Sequence, residues 1–264
     1  HQLPRPSQTE ETMDFSGKVV LVTGGSRGIG RAICQQFAQH GAQVVVHYHS
    51  NRQAAEKTAA SLPGSNHHIA QAEMADPAAL ERLVAEIVAQ YGRIDILVNN
   101  AGIYEDHPLA EVSFADWQAA WQHTLAVNLV GVANLSYLVG QQMIAQGYGR
   151  IVNVSSRGAF RGEPTAPAYG ASKAGLNAMS QSLAKYLAPY NVFVGVVAPG
   201  FVETDMAEEF LVGEIGASIR GQSPLNRVAT PDEVAYPVLF LAAEGTQFLT
   251  GAIIDVNGAS YLRT

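Results

Sequence analysis

Tyr169 and Lys173 stand four residues apart in the segment YGASK, a spacing that stacks both side chains on one face of a helix. A phenol beside an ammonium group is a proton donor whose anion has a counter-charge at hand, which suits a reaction that must protonate or deprotonate an alcohol oxygen. Free tyrosine titrates near pH ~10, and moving it about three units toward neutrality takes roughly 4 kcal/mol of preferential stabilisation of the phenolate. A unit charge about 4 Å away supplies about 1 kcal/mol in water and about 4 kcal/mol at an effective dielectric near 20, so Lys173 suffices only in a partly desolvated pocket. Small Gly170, Ala171 and Ser172 leave room for that approach. By itself the pair reads equally as an aromatic ring packed over a lysine stem on a surface helix, so the surrounding elements have to decide.

Those elements alternate. Seven short β-branched runs, KVVLVT (18–23), QVVVHY (43–48), HHIAQA (67–72), DILVNN (95–100), RIVNVS (150–155), VFVGVV (192–197) and AIIDVN (252–257), are separated by helix-length segments such as Gly28 to His40, Pro77 to Tyr91 and Ala168 to Leu187. Apolar strands joined by helical crossovers predict an α/β fold: a single doubly wound Rossmann-type domain, residues 13–264, with a seven-stranded parallel sheet flanked by helices. Residues 1–12, polar and aperiodic before Met13, are expected to be an added or disordered tail. Glu203 to Leu225 reads either as a lid over a site or as a pair of surface helices.

A formal net charge of -7, from 16 Lys and Arg against 23 Asp and Glu, argues against a nucleic-acid or anionic-membrane partner and for small-molecule chemistry. Cys34 is the only cysteine, which excludes an intramolecular disulfide and a thiolate metal cluster and fits a reducing compartment. No run reaches the roughly 18 apolar residues of a membrane span, so a cytoplasmic location is expected. His47 and His49 share one face at the end of the second strand, but two imidazoles without a carboxylate make a poor metal site, and none is expected.

TGGSRGIG follows the first strand and opens a helix, with Gly24, Gly28 and Gly30 in the pattern T-G-x-x-x-G-x-G. Glycines there let backbone approach a pyrophosphate, and the helix amino terminus offers it unpaired N–H groups. With NNAG (99–102) at the end of the fourth strand, Ser156 thirteen residues before Tyr169, and APG (198–200) ending the sixth, the chain resembles the short-chain dehydrogenase/reductase family from about Phe15 onward. PLNRVATPDEVA, FLTG and VNGA are similar to the branch that holds the 3-oxoacyl-carrier-protein reductases, together with sugar, polyol and steroid dehydrogenases.

The resemblance implies a catalytic tetrad of Asn128, Ser156, Tyr169 and Lys173. In it Tyr169 exchanges the proton, Lys173 also binds the nicotinamide ribose, Ser156 bonds the substrate oxygen and Asn128 holds a water of the proton relay. Ser155, facing the other way on its strand, is assigned to sheet support. Asn128 also has a purely structural reading, as a residue that caps or kinks its helix. The implied cofactor set is Gly24, Ser26, Arg27, Gly28, Ile29 and Gly30 in the turn; His49, Ser50 and Asn51 after the second strand; Glu73 and Met74 after the third; Asn100, Ala101 and Gly102 after the fourth; Pro199, Gly200, Val202 and Thr204 after the sixth; and Tyr169 and Lys173. Glu73 and Met74 depart from the family's usual Asp and small apolar residue, which leaves their main chain as the better adenine contact. Asn99 is implied to support the central strands.

Family members that use NAD carry an acid at the end of the second strand, where this chain reads VVVHYHSNR and has none before Glu56. With Arg27 inside the turn and Ser50, Asn51 and Arg52 close by, the expected cofactor is NADP(H) rather than NAD(H). The expected substrate is a small-molecule ketone or secondary alcohol, including a 3-oxoacyl thioester. Its contacts are expected from Ile103 to Pro108, Arg157 to Pro167 and the lid, where Arg157 and Arg161 could meet a carboxylate or phosphate if they are more than solvated surface arginines. A homotetramer is implied by the family. The competing reading is an NADP-binding sensor or scaffold of low turnover.

Overall fold

The computed structural model describes residues 13–204, 207 and 211–263; the expected tail, residues 1–12, lies outside the described residues. Each β-branched run contributes a strand: β1 (Val19–Val22), β2 (Gln43–Tyr48), β3 (His68–Gln71), β4 (Ile96–Asn99), β5 (Gly149–Val154), β6 (Val192–Pro199) and β7 (Ile253–Val256). All pair in parallel, in the order β3-β2-β1-β4-β5-β6-β7. The helices are α1 (Gly28–Gln39), α2 (Arg52–Ser61), α3 (Pro77–Tyr91), α4 (Phe114–Leu125), α5 (Val132–Gln146), α6 (Gly158–Arg161), α7 (Pro167–Leu187), α8 (Gly213–Gly221) and α9 (Pro231–Ala242).

Strand alternation builds two cores. Val20, Val22, Val44 and Val46 face one layer, where they meet Phe37 of α1 and Leu239 of α9. Val19, Leu21, Val45 and Leu97 face the other, against Leu80 of α3, Leu135 of α5 and Leu176 of α7. Local chemistry sets the helix ends. In α3 the Asp76 side chain accepts the Ala78 N–H, Pro77 takes the first turn and Gly92 closes the helix in the left-handed conformation at φ 74°.

Between α4 and α5 the helix widens into one π-helical turn, Ala126–Gly131, which carries Asn128. This turn passes the β3–α3 connection so closely that a Cβ at position 131 would lie 2.2 Å from the Met74 carbonyl oxygen, so only glycine fits. By length and composition the continuous run 114–146 could cross a membrane, but half of its apolar window is buried in this fold, with α5 packed on α3 and both α4 and the π turn on α7. In the stretch expected as a lid the described part holds α8, and residues 205, 206 and 208–210 lie outside the described residues.

His47 of β2 anchors the glycine turn. Its Nδ1 accepts the Gly24 N–H at 3.1 Å, which leaves Nε2 to donate to the Ala72 carbonyl at 3.0 Å, and its own carbonyl accepts the Gly25 N–H. The first of these contacts needs neutral imidazole, since a protonated Nδ1 could not accept the Gly24 N–H. With the ring 1% exposed, burial pushes its pKa down to about 4 from the ordinary 6.5. Between those values the unfolded chain binds a proton at His47 and the native chain does not, so stability falls as pH falls through that window, by about 3 kcal/mol in total. His47→Gln is expected to lower stability at neutral pH and to flatten its decline between pH 6.5 and 4. Urea unfolding across that range checks this, and an undiminished slope in the variant would refute it.

Candidate active site

The sheet order places β1 beside β4, and at their carboxyl ends the chain departs in opposite directions, which opens a crevice. The glycine turn and NNAG line it together. Thr23 Oγ donates to the Val98 carbonyl (3.3 Å) and accepts the N–H groups of Asn100 and Ala101 (3.0 Å each). Asn100 returns the contact, its side-chain amide donating to the carbonyls of Thr23 and Gly24. Gly24 and Gly28 have φ of +64° and +52°, and a Cβ on Gly30 would lie 2.1 Å from the Gly24 carbonyl oxygen. The turn therefore exists only with glycine at these positions.

Arg27 precedes α1 without any side chain capping the helix, so the first N–H groups of α1 are free to meet an anion. The Ser26 carbonyl is held by Arg31 and Thr58, while Ile29 packs against the core and Ala101 and Gly102 follow in the same crevice. These residues fit a pyrophosphate-bearing dinucleotide. After β6, Gly200 donates to the Val256 carbonyl, the Pro199 carbonyl accepts the Arg157 N–H, and Val202 bridges Ala229. Thr204 comes back to the turn: a Cβ built on Gly28 would lie 3.3 Å from its methyl group.

At the end of β2 the structure adds what linear order hides. His49 and Ser50 are exposed, Asn51 caps α2 by accepting the Ala54 N–H, and Arg52 is paired with Glu56 at 2.8 Å. Although β2 carries no acid, the neighbouring β3 brings Glu73 to within 2.6 Å of His49 Nε2. Met74 is buried in the core. Arg27 is exposed and forms no ion pair among the described residues. Likewise, no group of three or more His, Cys, Asp or Glu among the described residues could hold a metal ion.

The four tetrad residues converge from three elements. Asn128 sits in the π turn and clamps the Ile103 peptide, Oδ1 accepting its N–H (2.8 Å) and Nδ2 donating to its carbonyl (2.9 Å). Nδ2 also reaches Ser172 Oγ (3.3 Å), which itself donates to the Tyr169 carbonyl and so ties the π turn to α7. A Cβ on Gly102 would meet Asn128 Oδ1 at 3.3 Å and Lys173 Nζ at 3.4 Å, so NNAG and the tetrad share one space. Ser156, at the end of β5, accepts the Gly158 N–H, whereas Ser155 donates across to the Lys173 carbonyl, the opposed orientations that strand alternation predicts.

Electrostatics decide how these groups behave. Lys173 is 4% exposed, donates to the Val154 carbonyl at 2.9 Å, and lies 5.7 Å from the Tyr169 ring centre. Burial brings its pKa down to about 8. Tyr169 moves the other way, pushed up to about 12 by burial, with Ser156 favouring the phenolate and the Glu163 carboxylate opposing it. Lys173 sits in a dry pocket, yet for Tyr169 desolvation outweighs the help of the Ser156 hydrogen bond, and Lys173 contributes no resolved lowering of its own. Tyr104 packs edge-on against Tyr169, ring centres 5.1 Å apart. Thr23 and Ser172 were not singled out as site residues by sequence reasoning, and His47 was weighed only as a metal ligand. Thr23 opens the glycine motif and His47 stands alternate to His49, but no local signal marks Ser172.

The match to known proteins agrees with this geometry. The family model described as short chain dehydrogenase matches residues 18–214. The 3-oxoacyl-acyl-carrier-protein reductase FabG of Aquifex aeolicus is 41% identical over 94% of this chain and 98% of its own, and that of Escherichia coli is 38% identical over 95% and 100%. Among solved structures, a candidate gluconate dehydrogenase from Agrobacterium tumefaciens superposes with a TM-score of 0.88 at 28% identity, covering 94% of this chain and 97% of that one. A crevice at the β1/β4 switch point, built from glycine turn, NNAG and a converging Asn, Ser, Tyr and Lys, thus comes with sequence likeness over nearly the whole chain: the protein belongs to the short-chain dehydrogenase family and is an oxidoreductase acting between CH–OH and C=O groups.

Proposed function

We propose that the protein is an NADP(H)-dependent reductase of ketones, with a 3-oxoacyl thioester as the first substrate to test. The observation that carries this reading is the shared space of Gly102, Asn128 and Lys173 beside Tyr169, which joins the dinucleotide crevice to a proton donor. A nicotinamide held there supplies the hydride. Ser156 and Tyr169 bind the carbonyl oxygen, and Tyr169 gives its proton to the alkoxide that forms. Lys173 positions the ribose and, charged, lowers the cost of the phenolate; Asn128 fixes the Ile103 peptide and a water of the relay. The names of the FabG relatives support the thioester, and exposed Arg27 supports the 2′-phosphate of NADP(H). On the same family basis the enzyme works as a cytoplasmic homotetramer.

Three measurements test the proposal. Wild type should oxidise NADPH with at least one member of a ketone panel that includes a 3-oxoacyl thioester, and Tyr169→Phe should lose about 10²- to 10⁴-fold in kcat while still binding NADPH. Tight NADPH binding with no turnover on the whole panel would favour a sensor or scaffold instead. Because the neutral phenol is the acid, kcat/KM for reduction should fall at high pH and that for alcohol oxidation should rise; the same trend in both directions would contradict the role of Tyr169. Finally, Arg27→Ala should weaken NADPH binding about tenfold or more and leave NADH within about twofold. Equal effects on both cofactors, or a wild-type preference for NADH, would sink the NADP(H) assignment.

A further inference from the structure

Arg157 follows Ser156 directly, yet it is not the surface arginine its sequence suggests: it is 4% exposed. Its backbone N–H is fixed on the Pro199 carbonyl, and its guanidinium stacks over Phe201, 5.2 Å from the ring centre. The polar side-chain partner of that guanidinium among the described residues is Ser260 Oγ, to which Nη1 donates at 2.6 Å. Taking an arginine out of water without a counter-charge is costly, and burial already lowers its pKa, with repulsion from Arg161 adding to the effect.

A cavity of about 150 Å³ opens against this side chain. None of Asn128, Ser156, Tyr169 or Lys173 lines it, although Arg157 and Phe201 of its wall directly follow Ser156 and Gly200. Two acids stand on its wall, and each has its own arginine: Glu233 pairs with Arg227 at 2.6 Å and Asp255 with Arg263 at 2.8 Å. Glu163 is near enough to influence Arg157 but makes no ion pair with it among the described residues. Both wall acids are thus engaged, Glu233 by Arg227 on the wall and Asp255 by Arg263 outside it, which leaves Arg157 as the lining guanidinium without a carboxylate partner among the described residues. The remaining wall is mixed, with Phe201, Ile219, Leu225 and Val256 apolar, and Ser223 and Asn257 polar.

We propose that this cavity is a binding site for a small monocarboxylate, held by Arg157 and Ser260 at its charged end and by the apolar wall at its tail. The planar guanidinium fork matches a carboxylate with two parallel hydrogen bonds. One guanidinium without a carboxylate partner, on a wall that also carries two acids, suits a monoanion better than a phosphate dianion, and the apolar wall suits a short hydrocarbon tail. A cavity of this size takes a ligand of about six heavy atoms, the size of butyrate. The site requires none of the tetrad, so it stands or falls apart from the proposed reaction.

Calorimetric titration of butyrate into the full-length protein tests it, with inorganic phosphate at matched ionic strength as the control. Saturable butyrate binding is expected, with phosphate producing no comparable signal. Arg157→Met, which keeps bulk but removes the fork, should weaken butyrate roughly tenfold or more. Val228→Phe, which fills the cavity from a residue of its lining and leaves Arg157 in place, should do the same and decides the matter if the arginine variant does not fold. Absence of butyrate binding, equal binding of phosphate, or binding that survives in a folded variant would overturn the proposal.

Discussion

One hydroxyl ties together the two loops on which the site depends. Thr23 Oγ, at the end of β1, bonds three backbone groups of the β4 end, and Asn100 answers by bonding the carbonyls of Thr23 and Gly24. The strands that carry these residues are about 75 positions apart in the chain and meet only because β4 returns to the free edge of β1. Once the two loops are knotted, glycine becomes obligatory at Gly24 and Gly30, since a Cβ at either position would press on the opposite loop or on the turn itself. His47 then fixes the turn from the β2 side. The crevice is thus defined by backbone held to backbone, which is what a phosphate-binding surface needs.

A second constraint is the burial of the polar groups between NNAG and α7. It raises the value of every charge there and also the cost of having one. Lys173 and Tyr169 are displaced in opposite directions, down to about 8 and up to about 12, because burial disfavours the ammonium and the phenolate alike. The helical spacing that brings the two side chains to one face is therefore necessary and insufficient. What favours the phenolate is Ser156, and the nearby Glu163 works against it.

Much of this was legible in the amino-acid order. β-branched runs with alternating burial on two faces specify a parallel, two-sided sheet, and all seven strands fall on such runs. Side-chain period also implies different partners for Ser155 and Ser156, and in the structure one donates to the Lys173 carbonyl while the other accepts the Gly158 N–H. Long-range pairing was not legible. An acid absent from the end of β2 in sequence is supplied beside it by Glu73 of the neighbouring β3 segment. Arg157 reads as a surface residue and is buried, because the chain after β6 and the chain after β7 close over it.

The sequence by itself determined the chemistry available: a glycine turn that only a strand-to-helix junction can use, and a phenol, ammonium, hydroxyl and amide of the right types. Tertiary structure alone decided which of them share a space. The π turn at Asn128 illustrates the reason. Nothing local in AVNLVG calls for a widened helix, but Gly131 must pass the Met74 carbonyl while Asn128 clamps the Ile103 peptide. Periodicity and spacing follow from the geometry of one segment, whereas such close approaches arise from the packing of several segments, which the order of residues in any one of them does not express.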